Sequence, residues 1–184
     1  MSHHRFVGRR CFLKMSAAAV ATALSPVPVF AGFKQLLQDE RRLHFYNLHT
    51  DERLQVCYCR NGKYDRRALK AVDHILRDHR TDKVHPIEPR LLDLLHAIAV
   101  KTGSNRFHVI SGYRSPTTNA MLRKDGRKVA SRSYHTRGKA IDIRMPDADT
   151  RTLYRVTVDL KGGGAGHYAG RNFVHVDVGP VRYW

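Results

Sequence analysis

The sequence predicts an α+β domain in which a small antiparallel sheet packs against several helices. Three observations carry that reading. Two segments in the last third of the chain, residues 139–144 and 172–179, alternate aliphatic and polar side chains with the period of a strand. Two earlier segments, opening at Arg66 and Pro89, place apolar residues at helical spacing. A further pair of β-type runs, 42–49 and 53–59, is separated by Thr-Asp-Glu and suggests a hairpin.

Taken in order, the chain of 184 residues opens on a leader. Arg9-Arg10-Cys11-Phe12-Leu13-Lys14 is a twin-arginine pattern. An apolar run from Met15 to Leu24 follows, and small residues at Val29 and Ala31 suit cleavage before Gly32. Residues 1–31 therefore read as a twin-arginine signal peptide, and 32–184 as one domain long enough for its own core. The apolar run is too short for a membrane span, which needs about twenty residues, and no later segment is apolar enough for one. Cys11 precedes the apolar run, which argues against lipid attachment there.

Lys and Arg number 33 against 16 Asp and Glu. The leader holds four of the basic residues (Arg5, Arg9, Arg10 and Lys14) and no acidic one, so the mature chain keeps 29 against 16. Such an excess needs an anionic partner. Export excludes nucleic acid. Cys57 and Cys59, one residue apart on a strand, face the same way and are too close for an unstrained disulfide, so they read as packed strand residues.

Residues 32–42 form a polar lead-in to the hairpin. Asp65 is positioned to cap a helix from Arg66 to about Arg80, with Ala68, Leu69, Val72, Ile75 and Leu76 as its apolar stripe. Pro89 opens a second helix running through Leu91, Leu92, Leu94, Leu95, Ile98 and Val100 to a terminal glycine at Gly103. Apolar around most of its girth, it reads as the central core helix. Residues 107–110 form a short strand, Ser115-Pro116 starts a short helix, and Arg114 falls on the turn between them. Residues 124–132 are a basic loop. A last helix carries Leu153, Val156 and Leu160, capped near Asp149 or Thr150, and ends at Gly162-Gly-Gly-Ala-Gly166. No Lys-Ser/Thr follows that run, so it is not a phosphate loop; it reads as a tight, open approach to a cleft.

The chemistry concentrates in Ser133-Tyr-His135-Thr-Arg-Gly138-Lys-Ala-Ile-Asp142 and in Phe173-Val-His175-Val-Asp177. Ile141 and Ile143 share one face of their strand, and Ala140, Asp142 and Arg144 the other. Val174, Val176 and Val178 likewise oppose Phe173, His175 and Asp177. Each histidine alone would pass for an ordinary strand residue. Two imidazoles and a carboxylate on the polar faces of two aliphatic strands suit zinc, which takes three protein ligands in a catalytic site and leaves one position open.

With the upstream Ser111-Gly-Tyr-Arg114-Ser-Pro116, these motifs resemble the zinc peptidases of the D-Ala-D-Ala carboxypeptidase and dipeptidase group, and within it the periplasmic murein endopeptidase K type. The resemblance covers most of the mature chain. It implies a hedgehog/D-Ala-D-Ala peptidase-like fold, Zn2+ held by His135, Asp142 and His175, and an arginine, Arg114, that handles the substrate. It also implies a periplasmic endopeptidase that cuts peptide cross-links of peptidoglycan. The preferred bond would join two meso-diaminopimelate residues, with D-Ala–diaminopimelate links second, and the cell wall's carboxylates would answer the basic surface. A carboxypeptidase or dipeptidase trimming D-Ala ends, and a non-catalytic wall-binding module, are the alternatives.

A general base is harder to place. Some relatives carry glutamate three residues before the last zinc histidine, where this chain has Asn172. Asp177, on the face of His175, reads either as that base or as an acceptor orienting the histidine. His167 reads either as a donor to a developing oxyanion or as a solvent-facing loop residue. Ser133 is placed to hydrogen-bond around His135.

Overall fold

The structure, a computed structural model, describes residues 36–126 and 129–184. The leader, its twin arginines and the cleavage point before Gly32 lie outside the described residues. Eight strands, β1 (Glu40–Asn47), β2 (Arg53–Arg60), β3 (Lys63–Tyr64), β4 (Arg106–Ser111), β5 (Ala140–Arg144), β6 (Gly164–Tyr168), β7 (Phe173–Asp177) and β8 (Arg182–Tyr183), form one sheet in the order β3-β2-β1-β4-β5-β7-β6-β8. Four helices, α1 (Arg66–Ile75), α2 (Pro89–Thr102), α3 (Pro116–Lys124) and α4 (Thr150–Leu160), complete an α+β architecture. The sheet is wider than the small one expected, and it is mixed: β1 runs parallel to β4, and β6 to β8. The strands that carry the ionisable residues, β4, β5, β7 and β6, are antiparallel throughout.

The expected hairpin is β1–β2, with Leu43 opposite Val56 and Phe45 opposite Leu54. Alternation sets the two faces of the sheet. Leu43, Phe45, Phe107, Val109, Ile141, Ile143, Val174 and Val176 are buried on one face against α2, whose Leu91, Leu92, Leu94, Leu95, Ala97 and Ile98 are almost fully buried. Burying that much aliphatic surface, at about 25 cal/mol per Å2, is what holds the sheet against the helix. Asp142, Arg144, His175 and Asp177 are thereby turned to the other face.

Helix ends follow local chemistry. The Asp65 carboxylate accepts from the Arg67 and Ala68 amides at 2.7 and 3.0 Å, Ser115 Oγ accepts from the Thr118 amide, and Asp149 from that of Thr152 at 2.7 Å. Gly103 ends α2 at φ 73°. Helix α1 stops at Ile75, short of the expected Arg80. The Leu76 carbonyl accepts from the Tyr113 amide (2.7 Å), and the Asp78 carboxylate from the amides of Ser115 (2.8 Å) and Arg80 (3.0 Å). These tertiary bonds draw residues 76–78 out of the helix and onto the chain after β4.

The glycine run is the second departure. Residues 164–168 form β6, and a side chain on Gly163 would put Cβ 1.9 Å from the Asp177 carbonyl oxygen. Gly163 thus allows close packing against β7, Gly162 makes room for Leu94, and Gly164 and Gly166 make room for Arg182 and Trp184, in place of an open approach to a cleft.

Candidate metal centre

Each member of the cluster is brought in by a different local device. Ser133 caps a 3-10 turn, Tyr134–Arg137, its Oγ accepting from the His135 amide at 3.4 Å. Gly138 ends that turn at φ 63°, and its Cα lies so near the Pro86 carbonyl that an added Cβ would sit 2.1 Å from the oxygen. The turn hangs His135 over β5 and β7, where register places Asp142 directly opposite His175.

The result is three donor atoms facing one another. Asp142 Oδ1 lies 3.2 Å from His135 Nε2 and 2.9 Å from His175 Nδ1, and the two nitrogens are 3.2 Å apart. All three residues are largely buried. The outer nitrogens are already committed. His135 Nδ1–H donates to the Gly112 carbonyl at 2.7 Å, and His175 Nε2–H to Asp177 Oδ2 at 2.9 Å. In the neutral imidazoles the inner nitrogens therefore carry lone pairs. Two lone pairs and a carboxylate oxygen pointing at one another repel unless a cation, or a proton, sits among them.

Zinc fits this donor set. Tetrahedral ligands at about 2.0–2.1 Å from the ion stand about 3.3 Å apart, close to the spacing found. The outer acceptors are the support that ligating histidines have, fixing tautomer and ring orientation. Without an ion the proton takes the place: burial works against charge on His175, but hydrogen bonds to Asp142 and Asp177 outweigh it and raise its pKa to about 9. Burial pushes His135 below its ordinary value despite Asp142. Burial would raise Asp142, yet the two histidines hold it far below the usual carboxylate range.

Asp177 is fully buried. Its Oδ1 accepts from the Gly179 amide (2.8 Å), the Gly164 amide (3.2 Å) and Arg182 Nη1 (3.1 Å), and its Oδ2 from His175 and Arg182 Nη2 (2.6 Å). Burial opposes ionisation, but His175, Arg182 and the Gly179 amide bring its pKa down to about 2. A carboxylate so surrounded and so acidic is not placed to take a proton from water in a cleft. Of its two readings from sequence, the geometry favours holding His175. His167 is displaced further. Gly166, not His167, lies opposite His175, so His167 turns to the helix-covered face, where it hydrogen-bonds Thr150 Oγ1 at 3.0 Å and stacks on Tyr154. The strand alternation of β6 removes it from the cluster, and the oxyanion role expected for it is withdrawn.

Arg114 is on the expected turn, 9% exposed, with Nη2 3.5 Å from Asp142 Oδ2 and donating to Ser111 Oγ at 3.2 Å. It and the three donors line a cavity of about 510 Å3. Residues that sequence reasoning passed over complete the walls: Tyr134, Tyr168 and Trp184, with Arg132, Arg171 and Arg182. Trp184 Nε1–H donates to Tyr168 Oη at 3.0 Å, the indole lies 5.3 Å from the His175 ring, and Arg182 stacks over both Tyr134 and Trp184. Only Gly112 had a usable signal, its place in Ser111-Gly-Tyr-Arg114. Arg182 and Trp184 reach the site through the β6–β8 pairing, which no local pattern announces.

Comparison with known proteins supplies the family. The family model described as Peptidoglycan L,D-endopeptidase MepK matches residues 35–184. The Peptidoglycan L,D-endopeptidase MepK of Escherichia coli (strain K12) is 35% identical over 177 residues, 96% of each chain. The Probable peptidoglycan L,D-endopeptidase MepK of Haemophilus influenzae is 36% identical over 178 residues, 96% of this chain and 95% of its own. The matched region takes in the donor triad, its outer acceptors and the arginine turn together, and by that match the chain belongs to the peptidoglycan L,D-endopeptidase MepK family.

Proposed function

We propose that this chain is a zinc-dependent peptidoglycan endopeptidase, hydrolysing peptide cross-links between meso-diaminopimelate residues and, secondarily, D-Ala–diaminopimelate links. The observation that carries the metal reading is the convergence of His135 Nε2, His175 Nδ1 and Asp142 Oδ1 with both outer nitrogens already donating. The family match supports the substrate. The twin-arginine leader supports a periplasmic location, and no described helix is long and apolar enough to cross a membrane.

His135, Asp142 and His175 would hold the ion, which supplies Lewis acidity toward a peptide carbonyl and toward water. The protein does the rest. Asp177 and the Gly112 carbonyl keep the two rings in one tautomer. Arg114, beside Asp142, offsets the carboxylate's charge and offers donors to a substrate carbonyl or carboxylate. Tyr134, Tyr168 and Trp184 supply aromatic surface to the wall of the cavity that the triad lines.

The test uses mature protein from Gly32, the His175→Ala variant and a chelator-treated sample, each incubated with cross-linked muropeptides and assayed for metal. Expected are about one zinc per chain and conversion of dimers to monomers in the first sample alone. Zinc binding with no dimer cleavage, but loss of D-Ala from pentapeptides, would replace the endopeptidase with a carboxypeptidase. Sacculus binding with neither zinc nor cleavage would leave a wall-binding module.

A further inference from the structure

Four arginines line the cavity, and Asp142 is the one acidic residue among the described residues that line it. They fall into two kinds. Arg114 and Arg182 sit against Asp142 and Asp177. Arg132 and Arg171 are exposed and make no ion pair or hydrogen bond among the described residues. Their placement is set by topology. Arg132 lies three residues before His135, in the loop that leads into the start of β5. Arg171 ends the 3-10 turn Ala169–Arg171 that leads into the start of β7. Both line the cavity that the metal triad lines, and they are carried by separate segments of its wall.

That arrangement matches one chemical difference between the two candidate bonds. In a link between two diaminopimelate residues, both residues flanking the scissile amide keep a carboxylate outside any amide. In a D-alanyl–diaminopimelate link only the amine-side residue keeps one, since alanine's side chain is a methyl group. Guanidinium is the side chain suited to a carboxylate, binding it through parallel N–H donors.

We infer that Arg132 and Arg171 form a two-ended carboxylate clamp that reads a charge on each side of the scissile bond, and so selects diaminopimelate–diaminopimelate links over D-alanyl ones. This rests on the endopeptidase reading above. One end of the clamp works on either substrate, and both ends only on the doubly charged one.

The experiment compares the zinc-loaded protein with Arg132→Gln and Arg171→Gln on the two purified dimer types, reading kcat/KM for each together with zinc content and melting temperature. Both side chains are exposed and make no bond among the described residues, so the variants should fold and load zinc as the parent does. A lost charge-assisted pair weakens binding by roughly tenfold or more. The expected result is a fall of about that size in the diaminopimelate-to-alanyl ratio of kcat/KM in at least one variant. The clamp is overturned if the ratio stays within about twofold of the parent in both variants, or if the parent prefers the alanyl dimer; in either case dimer cleavage itself survives. A zinc-loaded parent that cuts neither dimer sinks the endopeptidase reading, and the clamp with it.

Discussion

At the scale of single residues, the protonation of His175 sets how the centre responds to pH. Raised to about 9 in the metal-free protein, it must lose its proton before it can ligate. Metal affinity should therefore climb about tenfold per pH unit from 7 toward 9 and then level off, as one displaced proton requires; chelator competition across that range measures it. The same shifts have the opposite sign for metal-free stability. A raised histidine stabilises fully below its unfolded value of 6.5 and loses that contribution as pH rises through about 9. Lowered carboxylates stabilise above their unfolded value of 3.8 and lose it as pH falls, Asp177 toward about 2. His135 is lowered, so its contribution falls as pH drops below about 6.5, and the cluster favours the metal-free fold most near pH 6.5; melting at pH 6.5 and 9.5 should show the alkaline loss, with added zinc removing it. Asp177→Asn weakens the support of His175 and should cost about 10–100-fold in zinc affinity, because the acceptor for His175 loses its charge and the amide NH2 cannot accept from the Gly164 and Gly179 amides and Arg182 as Oδ1 does. Metal titration of the purified variant checks it.

Among the elements, the short connections matter more to the site than the long helices. Gly138 combines a left-handed backbone with a near-contact to the Pro86 carbonyl, so Gly138→Ala should destabilise by roughly 2 kcal/mol or more and displace His135. The readouts are a lowered melting temperature and reduced zinc stoichiometry. Asp149→Ala provides the contrast. It removes the hydrogen bond that caps α4, costing about 1 kcal/mol and about 2–4 °C of melting temperature, while zinc content stays that of the parent. The register of β5 on β7 is the other element-scale device. A slip by one residue would turn Asp142 into the core and Ile141 or Ile143 to the cleft, so the aliphatic face fixes the catalytic face as well.

Across the whole molecule, basic charge is the property that acts at a distance. The excess of 29 basic over 16 acidic residues in residues 32–184 should draw the protein to the carboxylates of the wall, and ions should screen that attraction. Raising salt from about 0.05 to 0.5 M shortens the screening length to a few Å, so sedimentation with isolated sacculi should lose most of the bound protein. Cleavage of small soluble dimers should depend on salt less steeply, since it draws on the cavity arginines rather than on the whole surface.

Local pattern was enough to say which residues lie in the core, where helices start, and which three side chains converge. Period-2 alternation in β5 and β7 separates aliphatic from ionisable faces, and Asp65, Ser115, Asp149 and Gly103 announce their caps through short-range bonds. Other features came only with the folded chain. Helix α1 ends early because Leu76 and Asp78 find partners on the chain after β4. His167 leaves the cleft because residues 164–168 pair as a strand in a register that faces Gly166 to His175. Asp177 reads as a support rather than a base once Arg182 and two backbone amides are seen around it. Each of these depends on a partner that folding brings in or on a register between strands, and neither leaves a periodic mark in the local sequence.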